Sequence, residues 1–185
     1  MTIVTNWFTM DDKEGADLNN PQTINTTTNP EYPAANAKLL DRVQGIYGSE
    51  WLFVQASTTV TANNAVVIDN VGKANNMTSA LIASNVYSYG IAEFQASNAQ
   101  PNDFFWALLK ANGGVAVNIS PSVGRGVQMY VSAVAGSFTS SVTSDAIMGI
   151  ALVASIGTSA SGPGEAIIRT YMLPALNMAV AGATA

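Results

Sequence analysis

Short apolar runs, each closed by Asn, Gly, Ser or Pro, set the pattern of this chain. The clearest is Tyr47-Gly48-Ser49-Glu50-Trp51-Leu52-Phe53-Val54-Gln55-Ala56-Ser57, a Gly-Ser turn, an aromatic and aliphatic run, and a polar stop. Aromatic and β-branched residues bounded by turn formers signal a strand rather than a helix. Side chains alternate along a strand, so Trp51 and Phe53 share one face, which reads as core. Asn63-Asn64 predicts a turn, because Asn tolerates positive φ. The strand Ala65-Val66-Val67-Ile68-Asp69 follows, and Asp69-Asn70-Val71-Gly72-Lys73 is a second turn. Residues 75–85 read either as a helix, from the spacing of Met77, Ala80, Leu81 and Ile82, or as a loop.

Residues 87–96 predict another strand, and 98–103 a loop. Phe104-Phe105-Trp106-Ala107-Leu108-Leu109-Lys110 is too short for periodicity to separate strand from helix. Its aromatics favour a strand, and so does Asn112-Gly113-Gly114, read as the turn that ends it. Val115-Ala116-Val117-Asn118-Ile119 alternates as a half-buried strand should. Further strands are expected at 127–131, 147–154 and 166–173, the last stopped by Pro174. Between them lie a Ser/Thr/Gly-rich hairpin or loop around Gly136 and a loop at 157–164. Gly90-Ile91-Ala92 recurs as Gly149-Ile150-Ala151, and Gln55-Ala56-Ser57 as Gln95-Ala96-Ser97, through either a duplicated hairpin or chance. Many short strands with regular turn signals predict an all-β fold, a small β-barrel or sandwich over residues 45–174.

Residues 1–44 read differently. Asp11-Asp12-Lys13-Glu14 and Asp17 form a charged cluster, and Pro21, Pro30 and Pro33 block regular pairing. This segment predicts a long extended N-terminal arm, either disordered or ordered on a partner. Residues 175–185 are read as a C-terminal tail. On a partner, Trp7, Phe8, Ile24 and Tyr32 would anchor the arm, since aromatic residues dominate interface energetics. Arg125, in Gly124-Arg125-Gly126, is a solvent or contact residue; the glycine-rich run of a phosphate loop is missing.

Composition narrows the chemistry. The chain has no Cys and no His, which excludes disulfides, Cys/His zinc sites and Ser-His or Cys-His nucleophile pairs. A net charge of −5 without any basic run argues against nucleic acid as a partner. No apolar run reaches the ~18 residues of a membrane helix, and the first residues lack the marks of a signal peptide. Glu50 and Glu93 fall in expected strands, but no sequence spacing brings them together as an acid–base pair. We therefore expect no enzyme activity, no cofactor and no metal. Only 10% of residues are charged against 48% hydrophobic, which leaves a neutral surface suited to packing on protein.

The order of these motifs resembles that of the head decoration, or cement, proteins of tailed bacteriophages. The residues that carry it are Gly48-Ser49-Glu50-Trp51 with the strand to Ala56, Gly90-Ile91-Ala92, Phe105-Trp106-Ala107-Leu108, the run from Met129-Tyr130 to Ala135-Gly136, Gly149-Ile150 and the strand at 166–173. The long arm and Phe104-Phe105-Trp106, where that family has Tyr-Gly-Trp, depart from the pattern. The resemblance implies a structural virion protein on the outer capsid surface, commonly a homotrimer, that clamps neighbouring subunits of the major capsid protein. The alternative is a fibre or adhesin-like module binding carbohydrate or cell surfaces, which needs Trp51 or Trp106 exposed as a platform.

Overall fold

The computed structural model describes residues 18–19, 21, 37–82, 86–94, 98–120, 125–140, 146–152 and 162–174. The fold is all-β, a closed five-stranded barrel with extra strands. Its elements are β1 (Arg42–Gly45), a single 3₁₀ turn (Ile46–Gly48), β2 (Ser49–Ala56), β3 (Ala65–Ile68), β4 (Lys73–Asn76) and a one-turn helix α1 (Ser79–Ile82). Then come β5 (Ser88–Ile91), β6 (Phe104–Ile119), β7 (Met129–Val131), β8 (Phe138–Thr139), β9 (Ala146–Leu152) and β10 (Gly162–Pro174).

Pairing runs β2–β4–β3–β5–β6, and β6 returns to β2 through the ladder from Gln55↔Phe104 to Glu50↔Lys110. Side chains from these strands and their adjoining loops fill the ring: Leu52, Val54 and Ala56, Val66 and Ile68, Ala74, Ala92 and Phe94, and Phe105, Ala107 and Leu109. Four of these are alanines, as a narrow barrel requires. Phe94 meets Phe105 edge to face, ring centroids 5.1 Å apart.

A second core lies on the other face of the same strands. Trp51, Phe53, Val67, Tyr89, Trp106 and Leu108 alternate outward and pack with Val117, Ile119, Met129, Phe138, Ile150 and Ile168 of the remaining strands. Strands β2, β3, β5 and β6 are therefore buried on both faces, which explains why they read as near-continuous apolar runs. Beyond β6 the order is β10–β9–β7–β8, and Ile119↔Phe138 brings β8 back to β6.

An amide network joins the two halves. Asn118 Nδ2 donates to Asn64 Oδ1 at 2.6 Å, and Asn64 Nδ2 donates to Asn76 Oδ1 at 3.0 Å. The β7–β8 hairpin docks beside it: Gly136 N–H donates to Met77 O, and its carbonyl accepts from Ala65 N–H, both at 2.8 Å. Gly136 has φ of +78°, and a Cβ there would lie 2.4–2.6 Å from the Asn64 side chain. Only glycine fits such a position.

Several sequence expectations change. Asn112-Gly113-Gly114 is no turn but the middle of the sixteen-residue β6. Between Ala111↔Ile168 and Val115↔Ala166, β6 advances four residues while β10 advances two. The glycines thus absorb a bulge where β6 leaves β2 and takes up β10. Lys73, read as the end of a turn, begins strand β4 with Ala74, parallel to β2; Lys73 Nζ donates to Gln55 Oε1 across that pair. Glu93 lies beyond the end of β5, not within it. Strand β10 begins at Gly162, inside the expected loop, because residues 162–164 pair with 117–119 of β6. Strand β1 begins at Arg42, inside the segment read as arm, and Leu18 of that segment is only 2% exposed in the outer core. The turn at Asn63 (φ +62°) is as expected, and the turn that starts at Asp69 ends at Gly72, one residue before its expected end. Gly90 lies in a regular strand against Ala107, whereas Gly149 has φ of +88°, so the echoed tripeptides serve different geometry. The second echo, Gln95-Ala96-Ser97, lies outside the described residues.

Candidate functional site

The ladders break where β1, β2, β6 and β10 meet. Glu50↔Lys110 is followed by Trp51↔Leu108, which leaves one extra residue on β6. On β10, Ile168↔Ile150 is followed by Leu173↔Met148, five residues against two on β9. Bulges re-aim side chains. Here the β10 bulge carries Tyr171, whose hydroxyl donates to Glu50 Oε2 at 2.7 Å.

Glu50 is the centre of this cluster. Arg42 of β1 donates to its Oε1 at 2.6 Å, and Lys110 Nζ lies 3.3 Å from its Oε2. The Glu50 side chain is buried while Arg42 and Lys110 are partly exposed. Burial pushes the carboxyl up, but hydrogen bonds from Tyr171, Arg42 and Lys110 outweigh it and hold the pKa below its ordinary value. For Arg42, burial works against the charge, and the contacts with Glu50 and Tyr87 overcome it, so its pKa is raised. The Tyr171 ring carries both cations, with Lys110 Nζ 5.1 Å and the Arg42 guanidinium 5.7 Å from its centroid.

Among the described residues three tyrosines are well exposed: Tyr171 at 41%, Tyr87 at 47%, and Tyr47, in the turn between β1 and β2, at 59%. Tyr171 and Tyr87 both touch Arg42. Tyrosine beside arginine is the composition of interface hot spots. The arrangement offers hydrogen bonding, stacking and one excess positive charge. Glu50 is already fully engaged, so it is no free general base.

The sequence-predicted contacts sit elsewhere. Arg125 is exposed in a turn ahead of β7 and is not among the groups around Glu50. Trp7, Phe8, Ile24 and Tyr32 lie outside the described residues. Trp51 and Trp106 are buried, so neither forms a surface platform. Glu93 is buried, and its Oε1 accepts from Ala116 N–H at 3.2 Å, away from the partners of Glu50. Arg42, Glu50, Lys110, Tyr87 and Tyr171 were missed as a group because they meet across 129 positions of sequence. The one local signal was Glu50 itself, a lone charge within a largely apolar strand.

Among the described residues no group of three or more His, Cys, Asp or Glu side chains could hold a metal, and no helix is long and apolar enough to cross a membrane. No protein-family model matches the chain, nor does any curated protein or solved structure.

Proposed function

We propose that this chain is a structural virion protein that decorates the outer surface of an icosahedral phage head, as a homotrimer clamping major capsid subunits. The observation that carries the reading is the tyrosine–arginine face around Glu50, displayed on a β-module buried on two sides. The motif order from Gly48-Ser49-Glu50-Trp51 to the last strand supports it as well. A doubly packed sheet gives a stiff platform, and stiffness lowers the ordering cost of binding. Many copies on one shell add avidity to weak single contacts. A surface poor in charge makes such binding less sensitive to salt.

Co-sedimentation with undecorated heads tests this. The full chain is compared with a form lacking residues 1–17, which keeps Leu18, and with Tyr87→Ala. Saturable binding at a fixed ratio to the major capsid protein, weakened by either change, is the expected result. No binding to intact heads, with saturable glycan binding instead, would replace this reading by the fibre or adhesin one.

A further inference from the structure

Asn112-Gly113 is the one Asn-Gly step in the chain. A regular ladder would pin its backbone, but it lies in the bulge between Ala111↔Ile168 and Val115↔Ala166. Asn112 is exposed there. Its amide faces the backbone of the turn between β1 and β2, since a Cβ on Gly48 would lie 3.1 Å from Nδ2. Glycine at 113 presents no side chain to hinder approach to its own nitrogen and has the widest backbone freedom.

We infer that Asn112 is a site of spontaneous backbone-assisted deamidation in the folded protein. The Gly113 backbone nitrogen forms a bond to Cγ of Asn112. The Cγ–Nδ2 bond breaks, and the proton from Gly113 N–H leaves with that nitrogen as ammonia. Water then opens the five-membered imide at either carbonyl, to give aspartate or isoaspartate. The conversion places a new negative charge two residues from Lys110, against the β1–β2 turn. Isoaspartate also lengthens the main chain by one carbon at the bulge. The modification is one-way and makes older molecules chemically distinct at the seam between the two halves.

The experiment incubates the full chain in mildly alkaline buffer, folded and in urea, and maps amide loss by peptide mass spectrometry. Enzymatic methyl labelling of isoaspartate identifies the product. The expected result is loss at Asn112 in the folded protein at a rate comparable to that in urea, with both products present, and no isoaspartate at that position in Asn112→Ser. Loss of the Asn112 amide only in urea would overturn the inference, because the strand would then be protecting it. Amide loss in the folded protein confined to other asparagines would overturn it equally.

Discussion

The barrel interior and the core outside it share four strands yet are built differently. The interior draws on a continuous stretch, residues 52–109, and is lined by Ala56, Ala74, Ala92, Ala99 and Ala107 around a few large side chains. The outer core is richer in aromatics and collects partners from Leu18 to Met172. Phe53 there packs on both Phe104 and Trp106, at centroid distances of 5.6 and 4.9 Å. A narrow ring closes within one stretch of chain and with small residues. Covering its outside takes distant pieces of chain, whose closure entropy packing must offset. The interior thus resists change through close fit, and the outer core through the number of segments that must arrive together.

That contrast can be broken most sharply from inside the ring. Phe105→Ala removes the ring that meets Phe94 edge to face, and should cost about 3–5 kcal/mol in urea unfolding. A cost below about 1 kcal/mol would mean that the interior collapses around the gap and is not closely fitted. The junction between the cores comes next. Gly136→Ala combines positive φ with contact on Asn64, and should cost about 2–3 kcal/mol by the same assay. Asn64→Gly in the same background removes all three contacting atoms, Cβ, Cγ and Nδ2, so the two costs should be less than additive.

The smallest effect belongs to the surface cluster. Glu50→Gln should cost about 1–2 kcal/mol near neutral pH. The partners Arg42 and Lys110 are well solvated, which keeps that figure low. Its pH dependence has a definite sign. The Glu50 pKa is lowered on folding, so its contribution is complete above the ordinary value of 4.5 and is lost as pH falls below it. The stability gap between the wild type and Glu50→Gln should therefore narrow in acid. A gap that widens in acid would contradict the ion-pair assignment.

Most strands were legible, because short apolar runs between turn formers leave few alternatives. Trp51 and Phe53 were placed in a core by alternation alone, and Asn63 in a turn by its tolerance of positive φ. The Asn112-Gly113-Gly114 bulge was not legible. The same residues make a turn or a bulge according to whether a neighbour continues the ladder, and here β10 does. Strand β4 was hidden because Lys73-Ala74-Asn75-Asn76 has no strand propensity and is held by its neighbours β2 and β3. The Glu50 cluster needed the β10 bulge to bring Tyr171 across, a tertiary event without local trace. Leu18 was hidden as a lone apolar residue in a polar, proline-containing stretch.

Leu18 bears most directly on the difference between the two cores, since it carries a distant segment into the outer one. Urea unfolding of Leu18→Ala, followed by circular dichroism, measures its weight. A side chain buried in the core predicts a loss of about 2–4 kcal/mol with an unchanged denaturant slope. A loss within about 0.5 kcal/mol of zero, the range of surface substitutions, would contradict the account and leave the outer core complete without the N-terminal segment.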